Sequence, residues 1–176
     1  MISSLAVAAA FALAGCSSTL GGADAVRSGG GATDATAAES VPAPHFTAEL
    51  ADGTEVDSDE LFAGRVTLVQ FMASWCTQCV DQAELLTDTA QEHGDDVQVV
   101  FVGAEQDEPA DLQAFLRDHA PSVPVVVDPD GSLFERYAVV EPPVTAVIDA
   151  SGGIVRMWPG GATEADLRTE LDALLG

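Results

Sequence analysis

Residues Val66 to Met72 form a run rich in Val, Leu and Phe, and a cysteine pair follows it closely in Trp75-Cys76-Thr77-Gln78-Cys79. Such a run fits a strand buried on both faces. Beyond the pair, Val80, Ala83 and Leu86 repeat at i, i+3, i+6 up to His93-Gly94, a helix with its stop signal. The cysteines therefore sit where a buried strand passes into a helix. That junction constrains the rest of the chain, because a strand covered on both faces needs strands beside it and helices over it.

The remaining pattern supplies them. His45 to Leu50, the Asp52-Gly53 turn and Thr54 to Val56 predict a short β-hairpin. Ser58 to Phe62 predicts a capped helical turn ending at Gly64. Val97 to Val102 predicts a second buried strand, and Pro109 opens a helix carrying Leu112, Phe115 and Leu116. Val123 to Val127 predicts a short strand before an Asp128-Pro129-Asp130-Gly131 turn, and Ser132 to Tyr137 a short helix. Val144 to Ile148 and Ile154 to Trp158 flank Ser151-Gly152-Gly153 and should pair antiparallel. Thr163 to Asp166 caps a last amphipathic helix. The expected fold class is α/β, a central mixed β-sheet flanked by helices with an N-terminal β-hairpin. Phe46, Phe62, Phe71, Phe101 and Phe115 are core candidates, and Trp158 is expected to pack at a strand end.

The chemistry concentrates at Cys76 and Cys79. At a helix N-terminus the unpaired N–H groups and the dipole favour a thiolate, which lowers the pKa of the first cysteine. Spacing of i, i+3 brings the second within disulfide reach. Cys76 would attack a disulfide, and Cys79 would resolve the mixed disulfide by displacing the substrate thiol. A zinc site needs two more ligands, and His45, His93 and His119 show no paired ligand spacing. No metal and no organic cofactor is called for.

Residues 1–16 read MISSLAVAAAFALAGC. The apolar stretch from Leu5 to Ala14 is too short to span a bilayer and suits a signal-peptide core. It ends in Leu13-Ala14-Gly15-Cys16, which resembles the bacterial lipoprotein box. The resemblance implies cleavage before Cys16 and acylation of its thiol, with several chains holding the protein at a bilayer. An ordinary cleaved signal peptide is the alternative, and either takes the domain out of the cytoplasm. Residues 17–44 have the small, polar composition of a linker, and as flexible coil the part from 17 to 40 spans about 25–30 Å. The expected layout is a signal peptide over 1–15, lipidated Cys16 and linker over 16–44, and one domain over 45–176. With 29 Asp and Glu against six Arg and no Lys, the net charge of −23 excludes nucleic acid as a partner. The 47% apolar content excludes wholesale disorder.

From about Pro44 to Leu175 the chain resembles the membrane-tethered thioredoxin-like oxidoreductases of the TlpA/ResA kind, within the redoxin group. Phe46 with Asp52-Gly53 and Gly64-Arg65 resembles their lead-in, and Phe71 to Cys76 their strand and active-site entry. Tyr137-Ala138-Val139, Pro143 and Val147-Ile148-Asp149 resemble their cis-proline segment, and Gly160-Gly161 completes the pattern. The resemblance implies a thioredoxin-like fold, a cis bond before Pro143, and a substrate surface made by Trp75, Pro142, Pro143 and Val144. Pro142 has no N–H, so one backbone hydrogen bond to substrate should be missing.

Other positions depart from that pattern. Gln70 stands where thioredoxins carry a buried Asp, and Gln82 where many tethered reductants carry Glu. Glu84 replaces a helix-kinking Pro, and Thr77-Gln78 lacks the usual Pro between the cysteines. Gln70, Thr77, Gln78 and Gln82 are therefore the residues expected to tune the pair. Asp81 and Glu84 are expected to be solvated helix-face carboxylates that could take over a proton role.

The expected function is a lipid-anchored, extracytoplasmic thiol–disulfide oxidoreductase, leaning to a reductant as in cytochrome c maturation. Its partners would be protein thiols and disulfides, a membrane electron donor or acceptor, and the lipid bilayer. The alternatives are an oxidant of exported proteins, a thiol peroxidase, or a binding lipoprotein with a structural Cys76–Cys79 bridge. A copper chaperone would want a wider cysteine spacing and a distant His, neither of which is evident.

Overall fold

The computed structural model describes residues 40–176. The signal peptide over 1–15, the acylation site at Cys16 and the linker as far as residue 39 lie outside the described residues. In chain order the elements are β1 (Val41–Pro42), β2 (Thr47–Leu50), β3 (Glu55–Asp57), α1 (Ser58–Phe62), β4 (Val66–Met72) and α2 (Thr77–His93). A 3-10 turn (Gly94–Asp96) leads to β5 (Val97–Gly103), α3 (Pro109–His119), β6 (Val125–Val127), α4 (Ser132–Arg136), β7 (Val144–Ile148), β8 (Gly153–Pro159) and α5 (Glu164–Leu175). The eight strands form one sheet in the order β1-β8-β7-β4-β5-β6-β2-β3. β4, β5 and β6 run parallel and the other pairings are antiparallel, so the sheet is mixed as expected.

All of β4 is buried, including Thr67 and Gln70. Alternation along the strand sorts its side chains. Leu68 and Met72 join a core with Cys79, Ala83 and Leu86 of α2, Leu112 and Phe115 of α3, and Leu167 and Leu171 of α5. Val69 and Phe71 join the opposite core with Phe46, Phe62, Leu133, Tyr137 and Ile148. The five expected core phenylalanines are all buried. Each large apolar side chain so enclosed contributes about 1.5–3 kcal/mol of transfer free energy. No helix among the described residues is long and apolar enough to cross a membrane.

Two boundaries differ from the sequence expectation. Strand pairing starts at Val41, which faces Ile154 of β8, so the linker expected to run to residue 44 gives way to the sheet earlier. Val41 and Pro42 carry no alternating pattern of their own and are held by the β8 edge. β6 also begins two residues late. The Val123 N–H turns back to the Ala120 carbonyl at 3.1 Å, and Pro124 has no N–H to offer a ladder.

The β7–β8 turn is organised by Asp149. Its Oδ1 accepts from the Ser151 N–H at 2.8 Å, the Ser151 hydroxyl at 2.6 Å and the Gly153 N–H at 3.0 Å. Burial pushes its pKa up, but hydrogen bonds from Ser151, Ser40 and Gly153 outweigh that and bring it down to about 2. Because the folded value lies below the ordinary 3.8, this stabilisation is complete above pH 3.8 and is lost as pH falls towards 2. Urea melts at pH 5 and pH 2.5 should show a smaller acid-induced loss in Asp149→Asn than in the parent. Equal losses in the two proteins would contradict this.

Candidate active site

α2 begins at Cys76 because the loop Ala73-Ser74-Trp75 turns the chain off the end of β4 and the cysteine serves as N-cap. Cys76 Sγ accepts from the Cys79 N–H at 3.2 Å, which occupies one of the free N–H groups of the first turn. The two cysteines are joined by a disulfide with a Cα–Cα distance of 5.3 Å. Cys79 is fully buried and Cys76 is 8% exposed, so Cys76 is the less enclosed of the two. Thr77 and Gln78 are exposed on the first turn.

Around the pair lie uncharged polar side chains, Gln70 and Thr145 fully buried and Gln82 half-buried. Gln70 Nε2 donates to the Cys79 carbonyl at 3.0 Å. Gln82, one turn further along α2, makes a two-way bond with Ala162. Its Nε2 donates to the Ala162 carbonyl and its Oε1 accepts from the Ala162 N–H, both at 2.9 Å. The same Oε1 accepts from the Thr145 hydroxyl at 2.9 Å. A carboxylate at 82 would set an oxygen against the Ala162 carbonyl and lose that bond. A Cβ on Gly161 would lie 2.5 Å from the Gln82 side chain, so glycine keeps this approach open. Asp81 and Glu84 are exposed, as expected.

The cis bond between Pro142 and Pro143 is present. β7 runs antiparallel to β4 with Val144 opposite Phe71, which puts Pro143 beside the strand end that leads into the cysteine loop. Pro143 is buried, and its carbonyl accepts from the Gly160 N–H at 2.8 Å. Trp75 is 65% exposed and shares with Val140 and Pro142 the wall of a groove of about 520 Å³. The charged groups lining it are Glu105, Glu135 and Glu141. Trp158 packs at the edge of the α2-side core.

Two residues that the sequence left unmarked complete the site. Asp107, 6% exposed, accepts from the Ser74 N–H at 3.0 Å and from the Ser74 hydroxyl at 2.6 Å, and so pins the loop just ahead of Trp75-Cys76. It reads as one more acid in an acidic chain, with no local signal. Thr145 did leave one: it is a hydroxyl in the middle of the fully buried run Val144 to Ile148. Cys16, the remaining sequence candidate, lies outside the described residues.

The comparisons agree with this geometry. The family model described as Redoxin matches residues 38–175. A thiol:disulfide interchange protein DsbE of Allochromatium vinosum is 31% identical, over 73% of this chain and 70% of its own length. Thiol:disulfide interchange protein HelX of Rhodobacter capsulatus is 30% identical over 80% and 78%. Among solved structures, the pneumococcal exposed lipoprotein thioredoxin of Streptococcus pneumoniae is 28% identical and superposes with a TM-score of 0.63, over 74% of this chain and all of that one. A disulfide capping a helix at the end of a buried strand, a cis-proline beside it and relatives that interchange disulfides lead to one conclusion: this chain belongs to the Redoxin family, with a thioredoxin-like fold, and is a thiol–disulfide oxidoreductase.

Proposed function

We propose that this oxidoreductase is an extracytoplasmic, lipid-anchored reductant of protein disulfides. Cys76 is its nucleophile, Cys79 its resolving thiol, and acylated Cys16 its tether to the membrane. The observation that carries the cysteine roles is the asymmetry of the pair: Cys76 caps α2 at the surface while Cys79 is sealed beneath it. The Cys76 thiolate, favoured by the helix N-terminus, attacks one sulfur of the substrate disulfide and expels the other as a thiol. Cys79 then attacks Cys76 Sγ, releases the second substrate thiol and closes the Cys76–Cys79 disulfide. Two electrons pass to the substrate, and a membrane electron donor restores the dithiol.

Support for the tether comes from the lipoprotein-box sequence ending at Cys16 and from the solved relative described as an exposed lipoprotein. Support for the reducing direction comes from the resemblance to the tethered TlpA/ResA kind. Trp75, Pro142, Pro143 and Val144 form the substrate face in this reading, next to the groove.

One observation favours the opposite direction: among the described residues the disulfide form offers no donor to a buried oxygen of Gln70, which weighs against that form. Glutathione equilibration of the full chain carrying Cys16→Ala decides between the two. A potential near or below about −250 mV is expected for the reductant, and one above about −180 mV makes the protein an oxidant.

A further inference from the structure

Gln70 lies between Leu68 and Met72 in β4, on the strand face turned to α2, and is fully buried. The group opposite its Nε2 is the Cys79 carbonyl, at 3.0 Å. A carbonyl only accepts, so the amide orientation is fixed and Oε1 is the acceptor end. Among the described residues nothing donates to Oε1, although it is sealed from solvent. The hydroxyl of Thr145, the residue opposite Gln70 on β7, is committed to Gln82 at 2.9 Å. A buried amide oxygen in that position bears its desolvation cost uncompensated.

Cys79 offers the complementary group in its other redox state. As part of the disulfide its sulfur carries no proton. As a thiol, with the side chain fully buried, it becomes a weak S–H donor that can pair with a buried acceptor. We propose that Gln70 Oε1 is the hydrogen-bond acceptor held for the Cys79 thiol, so that opening the disulfide gives the buried amide oxygen a donor. The inference rests on the Cys76–Cys79 pair undergoing exchange.

The redox step balances with glutathione as donor. One glutathione thiolate bonds to Cys76 Sγ, the Cys76–Cys79 bond breaks, and Cys79 leaves as a thiolate that takes a proton from water. A second glutathione attacks the glutathione sulfur, yielding glutathione disulfide and the Cys76 thiol. Two electrons and two protons enter the pair, and the proton on Cys79 is the one directed to Gln70.

Because the bond exists only in the dithiol, it favours that form. The Nε2 bond to Cys79 is made to a backbone carbonyl in both forms and largely cancels. Gln70→Met keeps the length of the side chain and removes both polar atoms. In the full chain carrying Cys16→Ala, this variant is expected to lower the dithiol-to-disulfide ratio in a fixed glutathione buffer by about threefold to tenfold. An unchanged or raised ratio overturns the proposal.

A second readout does not depend on that variant folding. In the Cys16→Ala, Cys76→Ser chain, Cys79 is the one remaining thiol, and the infrared S–H stretch reports its bonding. The band is expected at lower frequency than that of an unbonded thiol, and to return to the unbonded position on Gln70→Met. A band already at the unbonded position with Gln70 present overturns the proposal. If the parent chain never exchanges with glutathione, the exchange reading fails, while the S–H band still decides the hydrogen bond by itself.

Discussion

Cys76→Ser is expected to abolish disulfide exchange, by roughly four orders of magnitude or more, while the domain stays folded. The rate follows from chemistry, since a serine hydroxyl does not ionise near neutral pH and cannot form a disulfide, and removal of a nucleophile costs on this scale in enzymes that depend on one. Retention of the fold follows from loop arithmetic. A bridge closing only four residues removes little entropy from the unfolded chain, about 2 kcal/mol in the chain-entropy model. The side chains at 76 differ by one atom type, and the position is the rim of the core and not its centre. Cys79→Ser should behave differently. Cys76 remains able to attack, but with no resolving thiol the substrate stays attached, so a stable mixed disulfide accumulates with a mass increase equal to the substrate thiol less two hydrogens. The paired assay is exchange with a disulfide peptide, with circular dichroism for the fold and intact mass for the adduct. Exchange that survives in Cys76→Ser, or an adduct on Cys79 in the parent chain, would remove Cys76 from its role.

The parts of this protein that were legible in its sequence are those whose causes are local. The buried strand, the cysteine pair and the helix that follows occupy one continuous stretch from Val66 to His93, and hydrophobic periodicity plus a stop signal at Gly94 are enough to place them. The same holds for the β7–β8 hairpin about Ser151-Gly152-Gly153 and for the capping box at Thr163 and Asp166. What the sequence concealed is the partner of each polar side chain. Gln82 lies 80 residues from Ala162 and 63 from Thr145, and only the sheet order brings α2, β7 and the loop before α5 together. Without that, Gln82 reads as a carboxylate lost. With it, the amide fits a donor and an acceptor that a carboxylate could not satisfy together. Gln70 was marked as a tuning position, but its uneven bonding, one end held by Cys79 and the other given no donor among the described residues, belongs to the packed structure alone. Asp107 left no mark at all, because nothing local separates the few buried acids among the described residues, Asp107, Asp128 and Glu170, from the rest of the 29 in the chain.

Asp107 carries the last large prediction. Asp107→Ala should destabilise the domain by about 2–4 kcal/mol and slow exchange about tenfold, with little change in the redox equilibrium. The stability figure comes from the bonds lost. The carboxylate accepts a 2.6 Å bond from the Ser74 hydroxyl and a 3.0 Å bond from the Ser74 N–H, both charge-assisted, and it does so at 6% exposure, where water replaces them poorly. The rate follows from position. Ser74 is two residues before Cys76, so releasing it lets the loop carrying Trp75 and Cys76 sample geometries in which the sulfur is misaligned with a substrate disulfide. The redox equilibrium should hold because the carboxylate of Asp107 bonds to Ser74, ahead of the pair, and to neither cysteine. Asp107→Asn separates charge from shape. It keeps one oxygen for Ser74 but turns an amide NH₂ towards a second donor, and should fall between Ala and the parent in both urea stability and rate. Ser74→Ala removes the hydroxyl bond and leaves the backbone N–H bond, so its cost should be the smaller part of the total, and the double variant should cost less than the sum of the two singles. Additive losses, or an Asp107→Ala protein within about 0.5 kcal/mol of the parent, would show that Asp107 does not hold the loop. A glutathione equilibrium that moves as far as the rate does would instead place Asp107 among the groups that set the potential, and the separation between positioning by Asp107 and tuning by Gln70 would fail.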